Sequence, residues 1–172
     1  IAESNKIEDA LAIKVTLTPE QEKLIHVVDD SVDLAYYQRV EAIKLRKDID
    51  YKNIKLVFSP QHGTAHEGIN YLYKKMGVPF VEVLEQADPD PAFSNTKTPN
   101  PEESAAYELA IAYALKEKAD AAICTDPDAD RLGVVVKHNN DYVLLTGNQT
   151  GSILIDYVLS TKKELNTLPH NP

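Results

Sequence analysis

The acidic segment around which this chain is organised reads Thr125-Asp126-Pro127-Asp128-Ala129-Asp130-Arg131-Leu132-Gly133-Val134. An apolar run over residues 121–124 leads into the segment, and another over residues 134–136 leads out of it. This pattern predicts a tight loop between two strands. The three carboxylates occupy alternate positions, so their side chains can converge on one point, where they repel one another unless a cation neutralises them.

Oxygen ligands at this density favour a hard divalent cation such as Mg²⁺ or Ca²⁺, with Asp126, Asp128 and Asp130 as the candidate ligands. Arg131 adds a planar set of donors suited to a phosphate or a carboxylate. A calcium-binding EF-hand loop would carry Gly at its sixth position and Glu at its twelfth, where this segment has Arg131 and Lys137. An EF-hand is therefore disfavoured. The alternative to a metal site is an acidic surface turn without a ligand.

Strands and helices alternate in the pattern upstream of this loop. We predict strands at residues 54–58, 80–84 and 120–124, and helices at residues 31–47, 65–76 and 100–118. Thr64 and Glu67 have the spacing of a capping box at the start of the second helix, and Asn100 followed by Pro101 is typical of a helix start. The proline-rich residues 88–99 are unsuited to regular strand pairing.

Downstream of the loop, the pattern predicts a hairpin and a final helix. The elements are a strand at residues 132–136, a turn at 138–141, a strand at 142–145 and a helix to about residue 160. The first thirty residues are less regular, and we predict short strands at residues 11–17 and 24–28 around a turn or single helical turn at 18–20. Alternating strands and helices followed by a hairpin predict an α/β domain with a mixed β-sheet covered by helices.

The composition is that of an ordinary globular protein, with 172 residues and a formal net charge of −9. This charge argues against nucleic acid and anionic membranes as partners. No apolar run approaches the roughly 18 residues of a membrane-spanning helix. The single cysteine, Cys124, lies in an apolar run and is expected to be a core residue of a protein in the reducing cytoplasm.

Two further segments have recognisable patterns, which are Phe58-Ser59-Pro60-Gln61-His62-Gly63-Thr64 and Phe93-Ser94-Asn95-Thr96-Lys97-Thr98-Pro99-Asn100-Pro101-Glu102-Glu103. Together with the acidic segment, and in the same order, they resemble the α-D-phosphohexomutases, the phosphoglucomutase/phosphomannomutase superfamily. The first is similar to a strand-to-helix turn of the bacterial phosphoglucomutase and phosphopentomutase branch. The second is similar to the approach to that family's next helix, and the acidic segment to its metal-binding loop. The resemblance spans roughly residues 31–160.

The resemblance implies the second domain of a four-domain enzyme, with three α/β/α layers. It implies Mg²⁺ held by Asp126, Asp128, Asp130 and an oxygen of a phosphoserine on the first domain, with Arg131 steadying the phosphoserine or a substrate phosphate. Enzymes of this family move a phosphoryl group between the 1-hydroxyl and the terminal hydroxyl of a sugar phosphate, through a bisphosphorylated intermediate. Glucose phosphate is the expected substrate, with mannose and pentose phosphates as alternatives.

On this resemblance, residues 1–30 connect from the preceding domain, residues 31–145 form the metal-binding domain and residues 146–172 begin the next domain. The catalytic serine is expected outside this chain, so the remaining domains of the same enzyme are its expected partners and the chain alone is expected to be inactive. The sequence Leu168-Pro169-His170-Asn171-Pro172 ends like the family's phosphoserine loop. Pro169 stands where that loop has its serine, so we interpret the match as coincidental.

Two other functions stay open from the residues. In a haloacid-dehalogenase-type phosphatase, Asp126 would be the nucleophile and Asp128 the acid, although the fifth position of that motif should be Thr or Val and is Asp130. A non-enzymatic module that binds divalent ions or a protein is the other alternative.

His62 and Gly63 are lesser candidates for the site. They lie between a predicted strand and a predicted helix start, where backbone amides often receive a phosphate. The alternative is a turn histidine that hydrogen-bonds a neighbouring loop, and this interpretation is favoured.

Overall fold

The computed structural model describes residues 16–170, which fall into two compact units, one ending at Tyr36 and the other beginning at Tyr37. In the first unit, helix α1 (Pro19–Glu22) is a single turn closed by a capping box between Thr18 and Gln21. The predicted strand at residues 24–28 is wrong, because these residues have no strand conformation and their apolar side chains are exposed. The predicted strand at residues 11–17 lies largely outside the described residues.

The second unit is built on a five-stranded sheet with the strand order β2-β1-β3-β4-β5. Its strands are β1 (Leu56–Ser59), β2 (Phe80–Glu82), β3 (Ala121–Thr125), β4 (Leu132–His138) and β5 (Asp141–Leu144). Strand β1 pairs in parallel with β2 and β3, whereas β4 pairs antiparallel with both β3 and β5. The predicted α/β fold with a mixed sheet is therefore confirmed.

Residues 16–170 also form four longer helices: α2 (Asp30–Ala42), α3 (Ala65–Met76), α4 (Glu108–Glu117) and α5 (Gly147–Glu164). Successive residues of β1 face opposite layers, as the two-residue period of a strand requires. Val57 belongs to the buried cluster that contains Ala110 and Ala114 of α4. Phe58 points to the other layer, where its ring lies 6.3 Å from the ring of Tyr73 of α3. Helices thus cover both faces of the sheet, in an α/β/α arrangement.

Several helix boundaries differ from those predicted. Helix α2 ends at Ala42 rather than near residue 47, because the next two N–H groups bond to carbonyls only three residues back and tighten the chain out of the α-helix. Helix α5 runs four residues beyond the predicted end at residue 160. Its start is fixed by a capping box between Thr146 and Gln149 that the sequence analysis did not identify.

The predicted helix at residues 100–118 begins later than expected, with a 3-10 turn at Ser104–Tyr107 before α4. Asn100 caps a local turn instead, since its side-chain oxygen accepts from the N–H of Glu102 at 3.1 Å. Glu103 has an extended backbone (φ −102°, ψ 132°) that interrupts a helix begun at Asn100, and the carbonyl of Pro101 accepts from the Tyr107 hydroxyl at 2.9 Å. Likewise, β2 ends at Glu82 rather than residue 84, and a 3-10 turn follows at Leu84–Gln86.

The capping box predicted at Thr64 is wrong. Thr64 already has helical backbone angles (φ −72°, ψ −13°), and its side chain makes no capping hydrogen bond. A capping hydroxyl needs an extended backbone at that position to reach the N–H groups of the first turn. The predicted hairpin after β4 is confirmed as a two-residue turn, in which Asn139 takes the left-handed conformation (φ 56°).

Candidate metal centre

The acidic loop joins the paired ends of β3 and β4, where Thr125 lies opposite Leu132. Within it, the N–H of Asp126 donates to the carbonyl of Arg131 at 3.2 Å and the N–H of Ala129 donates to the carbonyl of Asp126 at 3.0 Å. Ala129 has a left-handed backbone (φ 61°). This tight path brings one oxygen of each of the three Asp residues within 4.8 Å of the others. The convergence predicted from their alternate spacing is therefore present.

The three carboxylates differ sharply in environment. Asp126 is buried, with 2% of its side chain exposed, whereas Asp128 and Asp130 are exposed. Both oxygens of Asp126 accept hydrogen bonds from Arg131, Oδ1 from the backbone N–H at 2.9 Å and Oδ2 from Nε at 2.8 Å. Burial alone would raise the pKa of Asp126, but these bonds from Arg131 outweigh it and hold the pKa below its usual range.

Asp130 shows the opposite effect. The negative charge of Asp128, followed by that of Asp126, raises the pKa of its carboxyl above the usual value. A raised pKa in an exposed carboxyl records the electrostatic repulsion within the cluster. A cation placed among the three oxygens would remove that repulsion.

The donor set fits a magnesium ion. All three candidate ligands offer carboxylate oxygens, which Mg²⁺ prefers at distances of about 2.0–2.1 Å. Neighbouring ligands of such an octahedral ion stand about 3 Å apart and opposite ligands about 4.2 Å apart, so oxygens that lie within 4.8 Å of one another reach one ion after a contraction. Asp128 and Asp130 are exposed and can rotate to supply it, while Asp126 is already fixed.

Arg131 lies at the edge of this cluster and next to a cavity. Its bond to Asp126 uses Nε, and 55% of its side chain is exposed. The neighbouring cavity has a volume of about 400 Å³ and is lined by Arg131, Gly133, Thr146 and Thr150 among others. The sequence predicts that Arg131 binds phosphate, and in this structure its Nε group donates to the candidate metal ligand Asp126.

His62 and Gly63 are both buried, and Gly63 lies against Pro127 of the acidic loop. Three backbone N–H groups of this turn donate to carbonyl oxygens at 2.8 Å. His62 donates to Gln86, Gly63 donates to Pro60, and Thr64 donates to Pro127. The ring Nδ1 of His62 lies 2.7 Å from the carbonyl oxygen of Asp88. The amides of this turn are thus already bonded to protein, and the histidine bonds a neighbouring loop.

The bond from the Thr64 N–H to Pro127 is a contact that sequence analysis missed. A backbone hydrogen bond leaves no mark on residue type, so no motif could have revealed it. The glycine at position 63 was the only available sign, because glycine often marks a close approach of two backbones.

Among the described helices, none has both the length and the apolar character required to cross a membrane.

Comparison with known proteins confirms the resemblance. Residues 35–139 match the family described as Phosphoglucomutase/phosphomannomutase, alpha/beta/alpha domain II. A phosphomannomutase of Mycoplasmoides pirum is 39% identical over 143 residues, covering 82% of this chain and 26% of the relative. A phosphoglucomutase of Staphylococcus epidermidis is 34% identical over 169 residues, covering 96% of this chain and 30% of the relative. The chain therefore spans less than a third of the length of these relatives.

A solved structure supports the fold independently. A phosphoglucomutase/phosphomannomutase family protein from Burkholderia thailandensis aligns with a TM-score of 0.56 and 24% sequence identity, covering 78% of this chain and 32% of the other. At this level of identity the likeness establishes the fold alone.

Proposed function

The chain belongs to the phosphoglucomutase/phosphomannomutase family, and on that premise we propose that it supplies the magnesium site of a phosphosugar mutase. The observation that carries the proposal is the convergence of Asp126, Asp128 and Asp130 within 4.8 Å on one loop. This loop lies inside the segment that matches the family, residues 35–139. Because the charges of the three groups repel one another, a cation is the simplest reason to hold them together.

In this proposal the three Asp residues have unequal roles. Asp126 is buried and fixed by two hydrogen bonds from Arg131, so it presents an oriented ionised oxygen. Asp128 and Asp130 are exposed and close around the ion from the solvent side. When bound, Mg²⁺ neutralises charge on a phosphoryl group and polarises its oxygens.

Arg131 is proposed to face the phosphate. Its side chain is about half exposed and borders the 400 Å³ cavity beside the loop. The bond from Nε to Asp126 does not involve the two terminal amino groups of the guanidinium. These groups can form the paired hydrogen bonds with which arginine recognises phosphate. Arg131 would thus connect the metal site to the phosphoryl group.

The chemical step needs residues from elsewhere in the enzyme. We propose that a phosphoserine on a preceding domain donates the phosphoryl group, through a bisphosphorylated sugar, and that glucose phosphate is the substrate. Residues 31–145 would be the second domain and residues 146–172 the start of the third, in a cytoplasmic enzyme. Phosphoryl transfer depends mainly on alignment and charge neutralisation, which the other domains would complete. The 172-residue chain alone is expected to be inactive.

The test compares two substitutions in the full-length enzyme. Asp128→Asn should lower the conversion of glucose 1-phosphate to glucose 6-phosphate at least a hundredfold at saturating Mg²⁺, since loss of a residue that stabilises transition-state charge costs about 10²–10³ in kcat. Asp156→Asn removes the same charge from the exposed side of α5 and should leave the activity within twofold of wild type. A full-length Asp128→Asn enzyme with nearly unchanged activity would refute the assignment.

The 172-residue chain itself supplies a second test. It should not hydrolyse p-nitrophenyl phosphate above the buffer rate, because Asp126 is buried and bonded at both oxygens rather than free to attack. Robust turnover by the purified chain would favour the phosphatase alternative over the mutase.

A further inference from the structure

The turn that joins β1 to α3, residues 60–64, carries features that the proposed function does not use. Pro60, Gln61, His62 and Gly63 are all buried. Gln61 and His62 are consecutive and both have positive φ angles, 51° and 61°. Such conformations are costly outside glycine, about 1–3 kcal/mol each, and persist only where the surrounding structure imposes them. The conformational free-energy cost of this turn indicates that it has a structural role.

The turn is bonded to its surroundings from both sides. His62 is bonded to the segment after β2 at two points. Its backbone N–H donates to the Gln86 carbonyl, and its ring Nδ1 bonds to the Asp88 carbonyl. The side-chain amide of Gln61 donates to the carbonyl of Ala106 at 2.7 Å. The turn is therefore held rigidly between two neighbouring segments, with its end directed at the acidic loop.

At that end, Gly63 and Thr64 contact the backbone of Pro127. A β-carbon placed on Gly63 would lie 2.4 Å from Cα and 2.5 Å from the carbonyl oxygen of Pro127. The φ angle of Gly63 is not in the left-handed region, so glycine is required here for space rather than for conformation. The adjacent Thr64 N–H donates to the same Pro127 carbonyl at 2.8 Å.

Pro127 stands between Asp126 and Asp128 in the loop, so its backbone determines where both carboxylates project. We propose that Gly63 and Thr64 are positioning residues of the metal loop. The turn at residues 60–64 is a rigid support that fixes the position of the loop. This inference rests on the proposed function, because it assigns the turn a role in metal binding. It also reassigns Gly63, from a phosphate ligand to a residue that fixes the ligands of the ion.

The magnitude follows from the tolerance of metal sites. Ligands must be held within about 0.5 Å of their working positions. A β-carbon at 2.4 Å from a backbone atom cannot be accommodated without a larger shift of one of the two segments. The turn is fixed by Gln61 and His62, so the shift falls on the loop. We expect Gly63→Ala to weaken metal binding at least tenfold.

A pair of substitutions at Thr64 isolates the backbone bond. Thr64→Ala removes a side chain that makes no capping bond and keeps the N–H. Thr64→Pro removes the N–H and places a ring carbon in its direction, while the native φ of −72° suits proline. Thr64→Pro should weaken Mn²⁺ binding at least fivefold, and Thr64→Ala should stay within twofold of wild type.

The experiment titrates Mn²⁺ into the 172-residue chain and its variants, by calorimetry and by the paramagnetic resonance of bound Mn²⁺. Circular dichroism confirms that each variant is folded, and Gly151→Ala, where an added β-carbon meets nothing within 4 Å, is the control for Gly63→Ala. A residue that only supported the fold would change the melting temperature without changing the affinity or the resonance of folded protein. If Gly63→Ala does not fold, the Thr64 pair decides.

The outcomes separate the two proposals. Weakened binding by folded Gly63→Ala and Thr64→Pro supports the positioning role. Wild-type affinity in either of these two folded variants overturns it and leaves the proposed function intact. Absence of Mn²⁺ binding in the wild-type chain overturns both proposals.

Discussion

The turn at residues 60–64 and the loop at residues 126–131 leave the neighbouring parallel strands β1 and β3 at the same edge of the sheet. They are built in opposite ways. The turn carries no Asp, Glu, Lys or Arg, is largely buried and has its amides bonded to oxygen atoms of the protein. The loop carries three carboxylates and one guanidinium, and most of it is exposed.

The exposed loop carries the groups that can bind a ligand, and the buried turn provides the fixed geometry. Charged groups belong on the exposed loop, because a ligand must reach them and because burial of like charges is costly. Fixed geometry belongs in the buried turn, because packed and hydrogen-bonded backbone moves little. Pro127 is the point at which the two segments meet, through Gly63 and the Thr64 N–H.

The largest expected effect concerns the far end of the loop, where Gly133 has a contact like that of Gly63. A β-carbon on Gly133 would lie 2.1 Å from the Tyr107 hydroxyl oxygen and 2.3 Å from the Pro101 carbonyl oxygen. Gly133→Ala should lower the free energy of unfolding by about 3 kcal/mol, as overpacking of a tight interior does. Chemical denaturation measures it. The control, Gly151→Ala in α5, should be neutral or stabilise by up to about 1 kcal/mol.

A loss below about 0.5 kcal/mol in Gly133→Ala would show that the loop is packed at one end only. The contrast between a charged loop and a packed support would then apply to the turn at residues 60–64 alone.

The second prediction tests the charged side of the comparison. Asp128→Asn should weaken Mn²⁺ or Mg²⁺ binding by the 172-residue chain at least tenfold, because it removes an exposed carboxylate from the cluster. A tenfold loss is about 1.4 kcal/mol. Titration calorimetry provides the measurement, with Asp156→Asn as the charge-matched control. Equal binding by both variants would remove Asp128 from the ligand set.

The third prediction concerns the positive charge inside the loop. Arg131→Gln should lower the melting temperature in EDTA, since it removes a charged hydrogen bond to buried Asp126 from a partly exposed donor. In saturating Mn²⁺ the loss should be smaller, because a bound cation replaces the lost positive charge. Thermal melts under both conditions measure the difference, against exposed Arg39→Gln as a control. An identical loss with and without Mn²⁺ would mean that Arg131 acts only through packing.

The smallest effect is expected at Cys124, on the buried strand that leads to the loop. Burial raises the pKa of its thiol to about 12, against an ordinary value of about 8.5. At pH 8 the folded chain should therefore not react with a thiol-specific disulfide reagent, and labelling should follow unfolding. Because the pKa is higher in the folded state, this thiol lowers stability as the pH rises from 8.5 toward 12. Rapid labelling of native protein at pH 8 would show that β3 opens locally.

The sequence predicts the five strands of the sheet and the starts of α2 and α3 within two residues, but not the start of α4 or the conformation of Thr64. Residues 54–58 and 120–124 are largely apolar, as is typical of a buried strand, and β1 and β3 lie there within two residues. Helix starts depend on which hydrogen bonds compete locally. Pro101 accepts from Tyr107, and Thr64 donates to Pro127, and neither bond has a signature in the order of residues.

The order of residues by itself determined the composition and spacing of the acidic loop, because three carboxylates at alternate positions on a short turn can project close together. It also determined the alternation of strands and helices, through the periods of their apolar residues. The tertiary structure decided that Arg131 binds Asp126 and that the loop rests on Gly63 and Thr64. The physical reason is that a backbone contact between segments some 60 residues apart depends on the packing of β1 beside β3. In the sequence, a glycine indicates only that space is needed at its position.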